Sequence, residues 1–220
     1  MKIYKNIASG IVLGLERTLE QKQPARIVLP QLFKMNRQWG SRDRKLVGRI
    51  FFDILRCKAL YSYAGEISDE NTTYYWELIG VWCVVNNTIL PTWEEFTLIN
   101  TKRTLARLET QLHPALKESF PAWINRLGEK ALGQKLWHKE MEALNNAALL
   151  VLRVNRLKIT PEKLKETLIE QYGIIAQLFD GYPDALVLEK HINLQTFSLY
   201  KKGYFEIQDA NSQRVASFSK

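Results

Sequence analysis

Two short stretches hold the residues best suited to chemistry. In LRVNRLK, residues 152–158, Arg153, Asn155, Arg156 and Lys158 cross from a strand-like run into a polar turn. In SRDRKLVGRIFFDILRCK, residues 41–58, Arg42, Lys45, Arg49 and Arg56 recur at helical spacing. At about 100° per residue these four cations share an arc of roughly 60°. The chemistry open to both sets is recognition of anions rather than bond making. A guanidinium binds phosphate through paired N–H groups, an ammonium acts as a point charge, and an Asn amide offers both a donor and an acceptor to a base edge. Each set also has a plainer reading. The helical set, diluted by Asp43 and Asp53, is also what a solvated amphipathic face looks like, and the strand-end set fits an Asn-initiated turn.

The residues that usually make or break bonds are scattered. Cys57 and Cys83 lie in Arg-Cys-Lys and Trp-Cys-Val, with no ligand spacing to each other or to a histidine. They read as two reduced thiols. His113, His138 and His191 are isolated, and Glu94, Glu95, Glu140 and Glu142 read as helix-surface or capping groups. No G-x-G-x-x-G or Walker loop and no nucleophile elbow occurs. No catalytic, metal-binding or cofactor-binding residue is assigned to this chain.

The balance of the chain narrows the partner. Its 220 residues suffice for one or two domains, and 46% hydrophobic with 25% charged residues is the composition of a folded globular protein. A formal net charge of +8 fits an acidic partner such as nucleic acid. No signal-peptide pattern opens the chain, and the most apolar run, Trp76 to Val85, is too short to span a bilayer. The expectation is a cytoplasmic protein with no membrane partner.

The elements that must position the two basic sets follow from periodicity. Ile7, Ile11, Leu15 and Leu19 form one helical stripe. A second helix begins near Pro24, and Pro30 should kink or split it. Ser41 is the expected cap of a third helix, with Leu46, Val47, Ile50, Phe51, Ile54 and Leu55 opposite the cations. Further helices are expected over 73–85, from Thr92 with Glu95 as a capping box, and over 101–112. His113-Pro114 interrupts this bundle, and two helices, 121–132 and 134–144, flank Gly133. After Ala147 the texture becomes mixed. A strand over 149–154 leads to a helix capped by Thr160-Pro161 and ended by Gly173. Strands at 174–179, 185–188 and 204–207 follow, with a turn at 181–184. Asp209 then caps a last helix with apolar Val215, Ala216 and Phe218. The fold class is mostly α, then α/β.

Three pieces of the second half carry a resemblance: Leu152-Arg153-Val154-Asn155, Tyr182-Pro183-Asp184-Ala185, and Gln208-Asp209-Ala210-Asn211-Ser212-Gln213. In that order and at those separations they resemble the ribosomal RNA small-subunit methyltransferase B family, also called Sun or Fmu. Its members are S-adenosylmethionine-dependent RNA cytosine-5 methyltransferases. The likeness covers roughly residues 120–220 and is looser over 1–115, where RDRKLVGRIFFDILR is similar to the central helix of a NusB-like domain. The resemblance implies a NusB-like helical domain over 1–115 and a helical bridge over 116–147. It further implies a small RNA-recognition-like α/β subdomain over 148–208, and over 209–220 the start of a Rossmann-like methyltransferase domain missing from this chain.

The same resemblance implies the function. The two family cysteines, one in Pro-Cys and one in Thr-Cys-Ser, have no counterpart here. The chain is therefore expected to be inactive alone and to hold no cofactor, with S-adenosylmethionine belonging to the parent enzyme. The expected partners are RNA, in the first place small-subunit ribosomal RNA, and the methyltransferase domain itself, with no DNA. The first helix carries only Lys2, Lys5 and Arg17 in its neighbourhood, fewer cations than NusB-type domains show. A stand-alone NusB-like RNA-binding or antitermination module, or a protein-docking module, stays open as the alternative.

Overall fold

The computed structural model describes residues 2–190 and 192–218. Met1, His191, Ser219 and Lys220 lie outside the described residues, as do the side chains of Ala216 and Ser217. The chain divides into two compact units, Met1–Asn145 and Asn146–Lys220.

The first unit is helical. It comprises α1 (Lys5–Leu19), α2 (Ala25–Met35), α3 (Ser41–Gly65), α4 (Tyr74–Val85), α5 (Thr101–Leu108), α6 (Pro114–Lys117), α7 (Ala122–Leu132) and α8 (Gln134–Asn145). The stripe Ile7, Ile11 and Leu15 packs with Val28 and Leu32 of α2, Val47, Ile50, Phe51 and Ile54 of α3, and Leu78 and Trp82 of α4. Helix α4 is apolar on nearly every side, as a helix at the centre of a core must be, and its stretch from Leu78 to Val84 is buried throughout.

Several local expectations are corrected. Pro30 does not split α2, because its ring lies on the exposed side of the helix, where water can take up the carbonyl freed by the missing N–H. Gly40, not Ser41, is the N-cap of α3, and the Asp43 carboxylate accepts the Gly40 N–H at 3.1 Å. Helix α3 runs to Gly65, with a kink at Cys57 (φ −103°, ψ 19°). The helix expected from Thr92 is only a 3₁₀ turn, Glu94–Phe96, and Glu95 turns to Lys5 instead, 2.8 Å away.

The second unit runs β1 (Leu150–Val154), α9 (Pro161–Tyr172), β2 (Ala176–Phe179), β3 (Tyr182–Leu188), α10 (Ser198–Lys201), β4 (Phe205–Ile207) and α11 (Ala210–Phe218). The strands form one antiparallel sheet in the order β2-β3-β1-β4. Thr160 caps α9 by accepting the Lys163 N–H, and Gly173 ends it in the left-handed region at φ 63°. The segment 182–184, expected as a turn, opens β3. Pro183 is tolerated there because it lies outside the paired register with β1 and beside a register shift against β2. Helix α10 had no counterpart in the expected pattern.

Helices pack on both faces of this sheet. Leu152, Val154, Leu186, Leu188 and Phe205 face Leu164 and Leu168 of α9 and Leu199 and Tyr200 of α10. On the other face, Val151 and Ala185 pack with Ala210 of α11, and Phe179, Tyr182 and Val187 border them. Helix α11 is tied down by Tyr182 Oη donating to Asn211 at 2.6 Å and by Gln213 Nε2 donating to the Leu152 and Gln208 carbonyls.

Close packing in the first unit yields a test. A methyl group at Gly10 of α1 would lie 2.4 Å from the buried Trp39 ring. Overpacking costs about 1–3 kcal/mol, while Ala gains about 1 kcal/mol over Gly in helix propensity. Gly10→Ala is expected to lower stability, read as a lower denaturation midpoint. A midpoint equal to or above the parent's would show that Trp39 yields freely.

Candidate nucleic-acid interface

Strand β1 ends at Val154, one residue short of Asn155, so Arg153 and Asn155 do not share a strand face. Asn155 instead organises the turn that follows. Its backbone N–H donates to the Tyr204 carbonyl at 2.9 Å, and its carbonyl accepts the N–H groups of Lys158 and Ile159 at 2.9 and 3.1 Å. Its amide nitrogen donates to the Gly203 carbonyl at 2.9 Å, and its amide oxygen accepts the Leu157 N–H at 3.2 Å. Gly203 meets this turn at φ 69°, a conformation that favours glycine, and a side chain there would press on Lys158 Nζ at 3.3 Å.

Around the turn is a cleft of about 510 Å³ lined by residues 153–158, Asp184, Gly203 and Glu206. It brings together all four strand-end residues read from the sequence. Arg153 is exposed on β1, opposite Glu206 of β4 in register, with one guanidinium nitrogen 3.5 Å from Gln208 Oε1. Arg156 Nε lies 3.2 Å from Asp184 Oδ1, which leaves its two terminal nitrogens without a partner among the described residues. Lys158 Nζ donates to the Lys202 carbonyl at 2.5 Å and lies 6.0 Å from the centre of the Tyr204 ring. The Glu162 carboxyl, at the start of α9, is held below its ordinary value first by its own backbone N–H and the Thr160 hydroxyl, with Arg156 adding to the effect. The cleft thus holds three cations and two carboxylates, a mixed polar surface with a modest positive excess. Asp184 and Glu206 escaped the sequence reading, since only the sheet register places them beside the arginines. Leu157, at the tip of the turn, is 96% exposed.

The four cations of α3 are all exposed, but they are not equivalent. Arg49 donates to Asn86 Oδ1 at 3.0 Å, lies 3.8 Å from Asp53, and sits over the Trp82 ring. It serves the C-terminal end of α4, where a cation is favoured. Arg56 donates twice to Asn145 Oδ1, at 3.0 and 2.6 Å, and Asn145 donates onward to the Glu118 carbonyl and carboxylate. It joins α3 at its kink to the end of α8. Arg42 and Lys45 have no partner among the described residues. The first unit also holds an ion-pair knot absent from the sequence reading: Glu66 accepts from Arg103 and Arg107, both at 2.8 Å.

Neither cysteine is arranged as a nucleophile. Burial pushes the Cys83 thiol up to about 12. Burial also raises Cys57, against the opposing pull of Arg56. Both remain protonated thiols near neutral pH.

The family model and the similar sequences point to one relationship. The family model described as the RsmF/B-like methyltransferase, ferredoxin-like domain, matches residues 120–195. The chain is 23% identical over 242 residues to the ribosomal RNA small subunit methyltransferase B of Citrobacter koseri, covering 97% of this chain and 55% of that protein. The protein of the same name from Vibrio cholerae is 28% identical over 123 residues, 55% of this chain and 28% of that protein. That from Proteus mirabilis is 30% identical over 96 residues, 44% of this chain and 22% of that protein. This chain therefore spans about half the length of the longest-matched relative. The crystal structure of PH0851 is similar in fold, with a TM-score of 0.58 and 18% identity over all of this chain and 56% of that one.

The geometry of the turn yields a prediction. Asn155→Ala removes two side-chain hydrogen bonds and is expected to destabilise the second unit by about 1–3 kcal/mol. Chemical denaturation followed by Tyr fluorescence or circular dichroism reads this directly. Stability within experimental error of the parent would mean that backbone pairing to Tyr204 suffices to hold the turn.

Proposed function

We propose, from the premise that this chain belongs to the ribosomal RNA small-subunit methyltransferase B family as its N-terminal portion, that it grips and orients RNA for a catalytic domain outside this chain. The parent enzyme is read as an S-adenosylmethionine-dependent RNA cytosine-5 methyltransferase acting on small-subunit ribosomal RNA in the cytoplasm. The observation that carries the reading is the cleft at the end of β1, where Arg153, Arg156 and Lys158 converge within a chain matched over 97% of its length by a ribosomal RNA methyltransferase. Among the described residues no helix is long and apolar enough to cross a membrane.

Methyl transfer from S-adenosylmethionine to cytosine carbon-5 is the chemistry the catalytic domain would supply. The residues of this chain bind and orient. Free guanidinium nitrogens on Arg153 and Arg156 suit two-pronged contact with phosphate oxygens. Asp184 holds the Arg156 side chain in place, so less conformational freedom is lost when phosphate arrives. Binding energy collected on such remote groups helps catalysis by holding the target base in reach of the reacting atoms.

The binding mode departs from the open-sheet platform of RNA-recognition folds. With α11 packed against Val151 and Ala185, stacking of bases on the sheet face is blocked, and the strand-end cleft takes that role. Residues 148–208 are read as the RNA-recognition-like subdomain, 116–147 as the bridge, and 209–220 as the lead into the methyltransferase domain. In the NusB-like reading of 1–115, the helical unit offers RNA only Arg42 and Lys45 from the α3 row. Engagement of Arg49 and Arg56 within the bundle favours a second reading of that unit, as a protein-docking module.

Two measurements test the proposal. Arg153→Ala is expected to weaken binding of single-stranded RNA by about 1–3 kcal/mol and to lower the dependence of affinity on salt by about one phosphate contact. Unchanged affinity and salt slope in anisotropy titrations would remove the cleft from the interface. The 220-residue chain is also expected to give no calorimetric signal with S-adenosylmethionine at micromolar concentration. Saturable heat in that titration would place a cofactor site in this chain and overturn the division of labour.

A further inference from the structure

Leu157 is the most exposed large apolar side chain among the described residues, at 96%. A single exposed leucine is ordinary on a protein surface. What sets this one apart is its support. On a loose loop, a leucine can fold back onto nearby apolar groups. Here the Leu157 N–H is held by the Asn155 side chain, and the Asn155 carbonyl closes the turn on Lys158 and Ile159. The same Asn155 anchors the turn to β4 through Gly203 and Tyr204. The turn therefore presents Leu157 to water from a held backbone. Its neighbours on either side are cations that are themselves held, Arg156 by Asp184 and Lys158 by the Lys202 carbonyl.

An apolar side chain fixed between two cations matches the repeat of a nucleic-acid strand, in which an apolar base face lies between charged phosphates. Proteins use such residues as wedges beside or between bases, at the expense of some base stacking. A strand without a paired partner loses least stacking on insertion, and every base offers an apolar face. From this arrangement we propose that Leu157 is a wedge that packs against an unpaired base of RNA whose flanking phosphates lie on Arg156 and Lys158. The inference rests on the RNA-binding reading above and adds to it the residue that distinguishes an unpaired base from a paired one.

The test uses the full 220-residue chain, its Leu157→Ser and Leu157→Phe variants, and an oligoribonucleotide carrying 2-aminopurine, both single-stranded and annealed to its complement. The wedge predicts that Leu157→Ser weakens single-strand binding by roughly 5- to 100-fold, leaves the salt slope and melting temperature unchanged, and removes the 2-aminopurine signal change. Leu157→Phe restores both binding and signal, and the duplex shows no difference between variants. If the parent chain binds the single strand in a salt-dependent manner but Leu157→Ser binds equally well with the same fluorescence change, the wedge is overturned while the RNA reading stands. If the parent chain binds neither RNA form, both fall.

Discussion

The candidate site depends on the hydrogen bonding of one residue. Asn155 sits where β1 gives out, and it ties the turn before α9 to the start of β4, 48 positions further along the chain. Each of these has backbone groups that the sheet ladder can no longer satisfy, and an amide side chain supplies one donor and one acceptor at once. Because the turn is closed this way, Arg153, Arg156 and Lys158 project from a fixed frame. A cation on a fixed frame loses less freedom on meeting an anion than one on a loose loop.

The second constraint is the closure of the sheet. An antiparallel sheet can leave one face to solvent, and an open face invites a ligand. Here α9 and α10 cover one face and α11 begins to cover the other, with Ala210 small enough to sit directly on Val151 and Ala185. The end of β1 remains accessible, where Arg153 and Glu206 face one another across adjacent strands. The mixed charge of that end has a consequence. Asp184 and Glu206 lower the net positive charge of the cleft, so the proposed affinity for phosphate rests on geometry as well as on net charge.

The helical unit shows how tertiary structure redistributes a charge pattern. On a helical projection Arg42, Lys45, Arg49 and Arg56 are alike. In the bundle Arg49 closes the end of α4 and Arg56 bonds to the end of α8, while Arg42 and Lys45 have no partner among the described residues. The reason is position along α3. Asn86 at the end of α4 meets Arg49 and Asn145 at the end of α8 meets Arg56, while no acceptor among the described residues meets Arg42 or Lys45.

Much of the fold was legible in the residues alone. Helical periodicity identified α1 and α3, Thr160-Pro161 and Gly173 bracketed α9, and Asp209 marked the cap of α11, because capping and apolar stripes are local rules with local causes. The strand-end cluster of Arg153, Asn155, Arg156 and Lys158 was legible too, since four polar residues in six positions stay close however the chain folds. Their division of labour was not. That Asn155 is committed to the turn, that Asp184 and Glu206 join the cleft, and that Leu157 stands alone in water depend on which strands are neighbours. Strand order β2-β3-β1-β4 brings residues 184 and 206 beside residue 153, and no local propensity carries that information. The sequence by itself determined the elements and the chemistry within reach. Only the tertiary structure decided which charges are spent on holding the protein together and which remain for a partner, because a hydrogen bond between distant segments exists only once the sheet and the bundle have brought them together.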